Sequence, residues 1–70
     1  MKHGARNDIP AIVTRIKEGS VMCQVEVKLK GTNYTMTSVM TVDSLKNLGL
    51  KVGDEVAVVA KAVNVLLMKP

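Results

Sequence analysis

Few residues in this sequence have the types and spacing to do chemistry. Thr41 and Ser44 carry hydroxyls three residues apart, in Thr41-Val42-Asp43-Ser44-Leu45. That is the spacing of a helix N-cap and its third helical residue, where a side-chain oxygen satisfies a free N–H. Free N–H groups and the dipole of a helix start also attract oxyanions. On pattern alone, capping is the simpler reading. Lys61 is the second candidate. It interrupts an apolar stretch over residues 56–68 and has Ala60 and Ala62 beside it. Small neighbours let a ligand or a second chain come close to the ammonium group. A lysine that protects an edge strand from aggregation has the same pattern. Hydroxyls, backbone N–H groups and one cation, converging within a few ångströms, are what binds a small oxyanion.

Other chemistries lack their parts. Cys23 sits in an apolar strand pattern and reads as a small core or subunit-contact residue. His3 stands alone in a polar N-terminal stretch, so no four-ligand zinc set exists. Gly31, Gly49 and Gly53 are isolated turn glycines, not a phosphate-cradling loop. Asp54-Glu55 precedes a strand and Asp43 opens a helix, so neither pairs as acid and base. The expectation is a protein that is not an enzyme.

The elements that must hold the hydroxyls and the lysine follow from periodicity. Residues 1–8 read as a polar arm. Residues 10–17 alternate, with Ile12, Thr14 and Ile16 on one face and Val13, Arg15 and Lys17 on the other. Glu18-Gly19-Ser20 signals a turn. Residues 21–29 are apolar at the odd positions, the cleanest period-2 pattern in the chain. Lys30-Gly31-Thr32-Asn33 is a second turn, and residues 34–40 are a third strand. The period then changes: Leu45 and Leu48 lie three apart, and Gly49 follows as a natural stop. That predicts a helix of about two turns. Residues 55–61 and 62–68 are apolar on both faces, as in strands covered on both sides. The expected fold is all-β: an OB-like five-stranded β-barrel with one short helix between the third and fourth strands. An SH3-like barrel is the alternative.

Composition sets the scale. The chain has 70 residues, 47% hydrophobic and 23% charged, with twelve Val, three Ile and one aromatic, Tyr34. One core of this size rarely supplies more than about 3–5 kcal/mol, so disulfides, a metal or oligomerisation usually add support. One cysteine and one histidine leave oligomerisation as the expected support. No apolar run nears the length of a membrane span. The first eight residues lack a signal-peptide core, which makes a reduced cytoplasmic location the default expectation. A formal charge of +4 favours an anionic partner. Single-strand nucleic-acid modules stack bases on aromatic side chains, and one tyrosine is a poor platform.

Several segments resemble the molbindin (Mop) family. They are Gly4-Ala5-Arg6-Asn7, Ile16-Lys17-Glu18-Gly19-Ser20-Val21, Thr41-Val42-Asp43-Ser44-Leu45, residues 48–56, and Lys61-Ala62 before Val63-Asn64-Val65. The likeness runs in order over nearly the whole chain. It implies a single molbindin (Mop/TOBE-like) domain over residues 1–70, in the cytoplasm, binding molybdate and often tungstate, with no organic cofactor and no protein metal ligand. It implies a homohexamer, a trimer of dimers, with oxyanion sites between subunits. By the resemblance, Ala5, Arg6, Thr41, Ser44, Lys61 and Ala62 form that site, and Gly19, Ser20 and Val21 line a possible second one. The family's usual serine is Gly4 here, so one hydroxyl is missing. Two rival expectations stand beside this one. They are an OB-type single-stranded nucleic-acid-binding module and a regulatory TOBE-like accessory domain of a molybdate transporter or regulator.

Overall fold

A computed structural model describes residues 6–70. Four strands form one antiparallel sheet: β1 (Asn7–Glu18), β2 (Met22–Leu29), β3 (Thr35–Thr41) and β4 (Glu55–Ala60). Their order in space is β3-β2-β1-β4. Helix α1 (Val42–Leu48) joins β3 to β4, and a 3₁₀ turn, Ala62–Asn64, follows β4.

β1 is long because it serves two partners. Its first half pairs with β4, from Asn7↔Ala60 to Ile12↔Glu55. Its second half pairs with β2. Residues 7 and 8 are therefore strand rather than arm. Their polar side chains hide this in the sequence, but the ladder to Ala60 and Val59 supplies the backbone bonds. Between the two halves lies a bulge: Val13 pairs with Val27 but Arg15 with Glu26. The extra residue, Thr14, donates its hydroxyl to the Glu26 carbonyl at 3.1 Å. A bulge bends its strand and shifts the side-chain alternation by one. So Val13, not Ile12, is buried, and Ile16 packs on the same core as Val13. The strict alternation expected for residues 10–17 holds only on either side of Thr14.

The core gathers Ala11, Val13, Cys23, Val25, Val27, Val42 and Leu45. The odd residues of β2 supply three of these, as its alternation predicts. Cys23 is buried and its thiol donates to the Thr41 carbonyl at 3.9 Å. Helix α1 is held at both ends by its own sequence. Gly49, at φ 65°, takes the left-handed turn that stops it, and the Gly49 N–H donates to the Leu45 and Lys46 carbonyls at 3.0 Å.

The expected fifth strand is absent from the sheet of a single chain. Ala62–Asn64 is a 3₁₀ turn, and residues 65–70 run without strand pairing. A strand apolar on both faces needs a cover on both faces, and one chain of this size has no spare layer to provide it. The barrel is thus a four-stranded open sheet, whose free edges are β3 and β4.

Candidate functional site

The residues singled out from the sequence fall into two groups, at opposite ends of β1. The first lies where β1 ends. Thr41 is extended, at φ −71° and ψ 153°, and caps α1. Its Oγ1 accepts from the Ser44 N–H at 3.1 Å and donates to the Ser44 Oγ at 2.9 Å. The Val42 N–H donates to the Val21 carbonyl at 2.8 Å. That bond ties the turn holding Gly19, Ser20 and Val21 to the helix start. Gly19 in turn donates to the Met22 carbonyl at 2.9 Å. A Cβ on Gly19 would stand 2.9 Å from that carbonyl oxygen, so the turn requires glycine. Both hydroxyls are exposed, and Asp43 lies in the first turn, where its charge suits the helix dipole and opposes an anion.

The second group lies where β1 begins. Asn7 pairs with Ala60, and the Asn7 side-chain amide donates to the Ala60 carbonyl at 3.2 Å. One step further along the two chains stand Arg6 and Lys61. Both are exposed, and among the described residues no acid or carbonyl engages either cationic side chain. Ala62 follows at the head of the 3₁₀ turn, and the Lys61 carbonyl accepts from the Asn64 N–H at 2.9 Å. Ala5, the remaining candidate, lies outside the described residues.

The structure therefore sets Arg6 and Lys61 each one residue past the last bonded pair of the β1–β4 ladder, and ties the start of the helix that Thr41 and Ser44 open to residues 19–21. It does not bring the two groups together. The 12 residues of β1 separate them, a contour of about 40 Å at roughly 3.3 Å per residue. The longest dimension of the fold is 37 Å. A small oxyanion cannot touch both groups of one chain, whereas two chains set end against end can offer it one group each.

Two further features escaped the sequence reading. An apolar groove of about 720 Å³ opens between β3 and β4. Met36 and Met40 line one wall, Val56 and Val58 the other, with Val13 and Val25 beneath. Its signal was the two-faced apolar run over residues 62–68, which has no place in the sheet. A small polar notch of about 110 Å³ on the outer face holds Arg15, Lys17, Gln24, Glu26 and Thr37. Among the described residues no cluster of three His, Cys, Asp or Glu side chains is placed to hold a metal ion.

Comparison with known proteins covers the same span. The TOBE domain model matches residues 4–67. Molybdenum-pterin-binding protein 2 of Clostridium pasteurianum is 34% identical over 68 residues, which is 97% of this chain and 98% of that protein. The molybdenum transport protein ModE of Azotobacter vinelandii is 37% identical over 67 residues, but those are only 24% of its length. Among solved structures, a molybdate-binding protein from Sporomusa ovata is similar at a TM-score of 0.88 and 35% identity, over 99% of this chain and all of that one. The cytoplasmic molybdate-binding protein ModG, with molybdate bound, is similar at 0.81 and 39% identity, over 89% of this chain and 43% of that one. On these matches, spanning both groups of candidate residues, the chain belongs to the TOBE-domain family and to its molbindin (Mop) members.

Proposed function

We propose that this protein is a cytoplasmic molybdate-binding protein, with tungstate as a second ligand, that stores, buffers or delivers the oxyanion without turning it over. The observation that carries the reading is the separation of the two groups. Arg6 and Lys61 are exposed cations at one end of β1, with no ion pair to either among the described residues; Thr41 and Ser44 form a hydroxyl pair at the other end. Each is half of an oxyanion site, and a homo-oligomer completes it. In this reading Ala5, Arg6, Lys61 and Ala62 of one subunit meet Thr41 and Ser44 of another around one tetrahedral dianion. Charge-assisted hydrogen bonds from the cations are the strong contacts. The hydroxyls supply direction and distance, and the size of the gap between subunits discriminates molybdate from the smaller sulfate. Residues 19–21, tied to the helix start, line a second class of site.

The names of the relatives support molybdate as the ligand. The strand order, with β1 bonded to both β2 and β4, supports an OB-like barrel that closes with five strands once assembled. A hexamer built as a trimer of dimers is the proposed assembly, and residues 1–70 its single-domain unit. Native mass spectrometry with molybdate, and with sulfate as control, tests the reading. The expected result is an oligomer that gains several molybdates and ignores sulfate. An oligomer that takes up neither anion, or both equally, overturns it.

A further inference from the structure

We infer that the outer face of β1, β2 and β3 docks an acidic segment of a partner protein, with one carboxylate of that segment seated in the polar notch beside Arg15 and Lys17. The odd residues of β2 fill the core, so its even residues point outward. Register then fixes which side chains share that face. Arg15 lies opposite Glu26 and Lys17 opposite Gln24 on the β1 side; Thr37 lies opposite Glu26 and Val39 opposite Gln24 on the β3 side. The notch of about 110 Å³ opens among Arg15, Lys17, Gln24, Glu26 and Thr37. Opposite charges facing each other across an antiparallel pair attract, yet no ion pair joins Arg15 or Lys17 to an acid among the described residues. The bulge gives the reason. It brings the Thr14 hydroxyl to 3.1 Å from the Glu26 carbonyl and 3.4 Å from the Glu26 Oε1. Glu26 is engaged by Thr14, and the Arg15 guanidinium is left without an acid.

Charge and size select the occupant. Two cations against one acid suit a single carboxylate better than a dianion, and the planar fork of Arg15 matches a carboxylate. The Gln24 amide and the Thr37 hydroxyl can donate to the lone pairs that remain. A water takes about 30 Å³, so the notch has room for one small anionic group and not for a nucleotide. Lys28, the next outward residue of β2, adds an exposed cation, whereas Lys30 beyond it is already paired with Glu55. The notch alone is too open to hold a free carboxylate firmly, since Arg15, Lys17, Gln24 and Thr37 are all exposed. Its rim supplies what a protein segment would use. Val39 is 60% exposed and Met22 47%, and both stand on the same outer face next to Gln24. Methionine adapts to varied apolar contacts. In an extended segment, residues two apart point the same way. An acidic residue followed two positions later by an apolar one therefore fits the notch and its rim together.

An NMR titration of the isotope-labelled full chain, in molybdate-free buffer at low salt, tests the inference. The probe is an acetylated Glu-Ser-Val-Ser peptide, with Gln-Ser-Val-Ser and sodium acetate as the other arms. The expected result is saturable amide shifts centred on Arg15, Lys17, Gln24 and Thr37 and reaching Val39, with the glutamate peptide only. Arg15→Gln should weaken binding roughly tenfold, the loss of a charge-assisted contact. Glu26→Gln should tighten it severalfold by removing the opposing charge, and added salt should weaken it. No shifts at the notch, or equal shifts with the glutamine peptide, overturn the inference. Acetate binding as tightly as the peptide means a site for small carboxylates and overturns the docking reading. Sedimentation of Arg15→Gln/Lys17→Gln is the independent check. An unchanged mass is expected, and a loss of oligomer mass makes this face a contact between copies and overturns the inference. The peptide is titrated without molybdate, so this inference and the oxyanion function fail independently.

Discussion

The two ends of β1 differ in how far they satisfy themselves. At the helix end every polar group of interest has a partner within the chain: Thr41 with Ser44, Val42 with Val21, Gly19 with Met22. At the other end Arg6 and Lys61 are exposed just past the end of the β1–β4 ladder, and the apolar segment beyond them is uncovered. The helix end is built by local sequence and is finished when one chain folds. The cationic end is unfinished until something else arrives.

The contrast can be broken from either end. The largest effect is expected at the helix end. Leu45→Ala removes the helix's main core anchor and costs about 2–5 kcal/mol, comparable to the whole stability a core of this size supplies. Urea unfolding should show the loss, and an unchanged midpoint would mean that α1 is held by its caps alone. Next comes Lys61→Ala. Losing a charged hydrogen bond, about 1.5–3 kcal/mol, should weaken molybdate binding roughly tenfold or more, with folding intact. Lys46→Ala, on the exposed side of the helix, should leave binding unchanged; equal losses in calorimetric titration would remove Lys61 from the site.

Thr41→Ala sharpens the comparison because it acts on both properties. The cap is worth about 1 kcal/mol of stability, and the hydroxyl is a proposed anion contact. Thr41→Ser should restore both, and recovery of stability without recovery of binding would separate them. The smallest effect is expected for Lys30→Ala. Its ammonium pairs with the Glu55 carboxylate at 2.8 Å, but the pair is solvent-exposed, and such pairs contribute about 0–1 kcal/mol. Thermal melts at low and high salt should be nearly superimposable with wild type.

Much of the fold was legible because its signals are local. The odd positions of β2 are the buried ones, Gly49 stops the helix, and Thr41 caps it. The bulge at Thr14 was not legible, because a threonine in a β-rich run looks like any strand residue. Its role appears only when Val13 and Arg15 find their partners on β2. Nor did the polar pair Asn7-Asp8 announce a strand, since its pairing is with Val59 and Ala60, more than fifty residues away. For the site, the hydroxyl pair and Lys61 stood out by spacing and by context. That Arg6 and Lys61 flank the same end of one ladder, Asn7 against Ala60, only the folded chain reveals.

What the sequence by itself determined are the pieces: three strands joined by hairpins, a capped two-turn helix, and a two-faced apolar C-terminal run. Each depends on neighbours within a few residues, through alternation, capping hydroxyls and glycine at positive φ. Tertiary structure alone decided how the pieces relate. It bent β1 so that one strand serves two partners, and it set the hydroxyls and the cations at opposite ends of the sheet. It also left the apolar run outside. The reason is geometric: a sheet's order and its open edges arise from long-range pairing, and no local pattern encodes which edge will lack a partner.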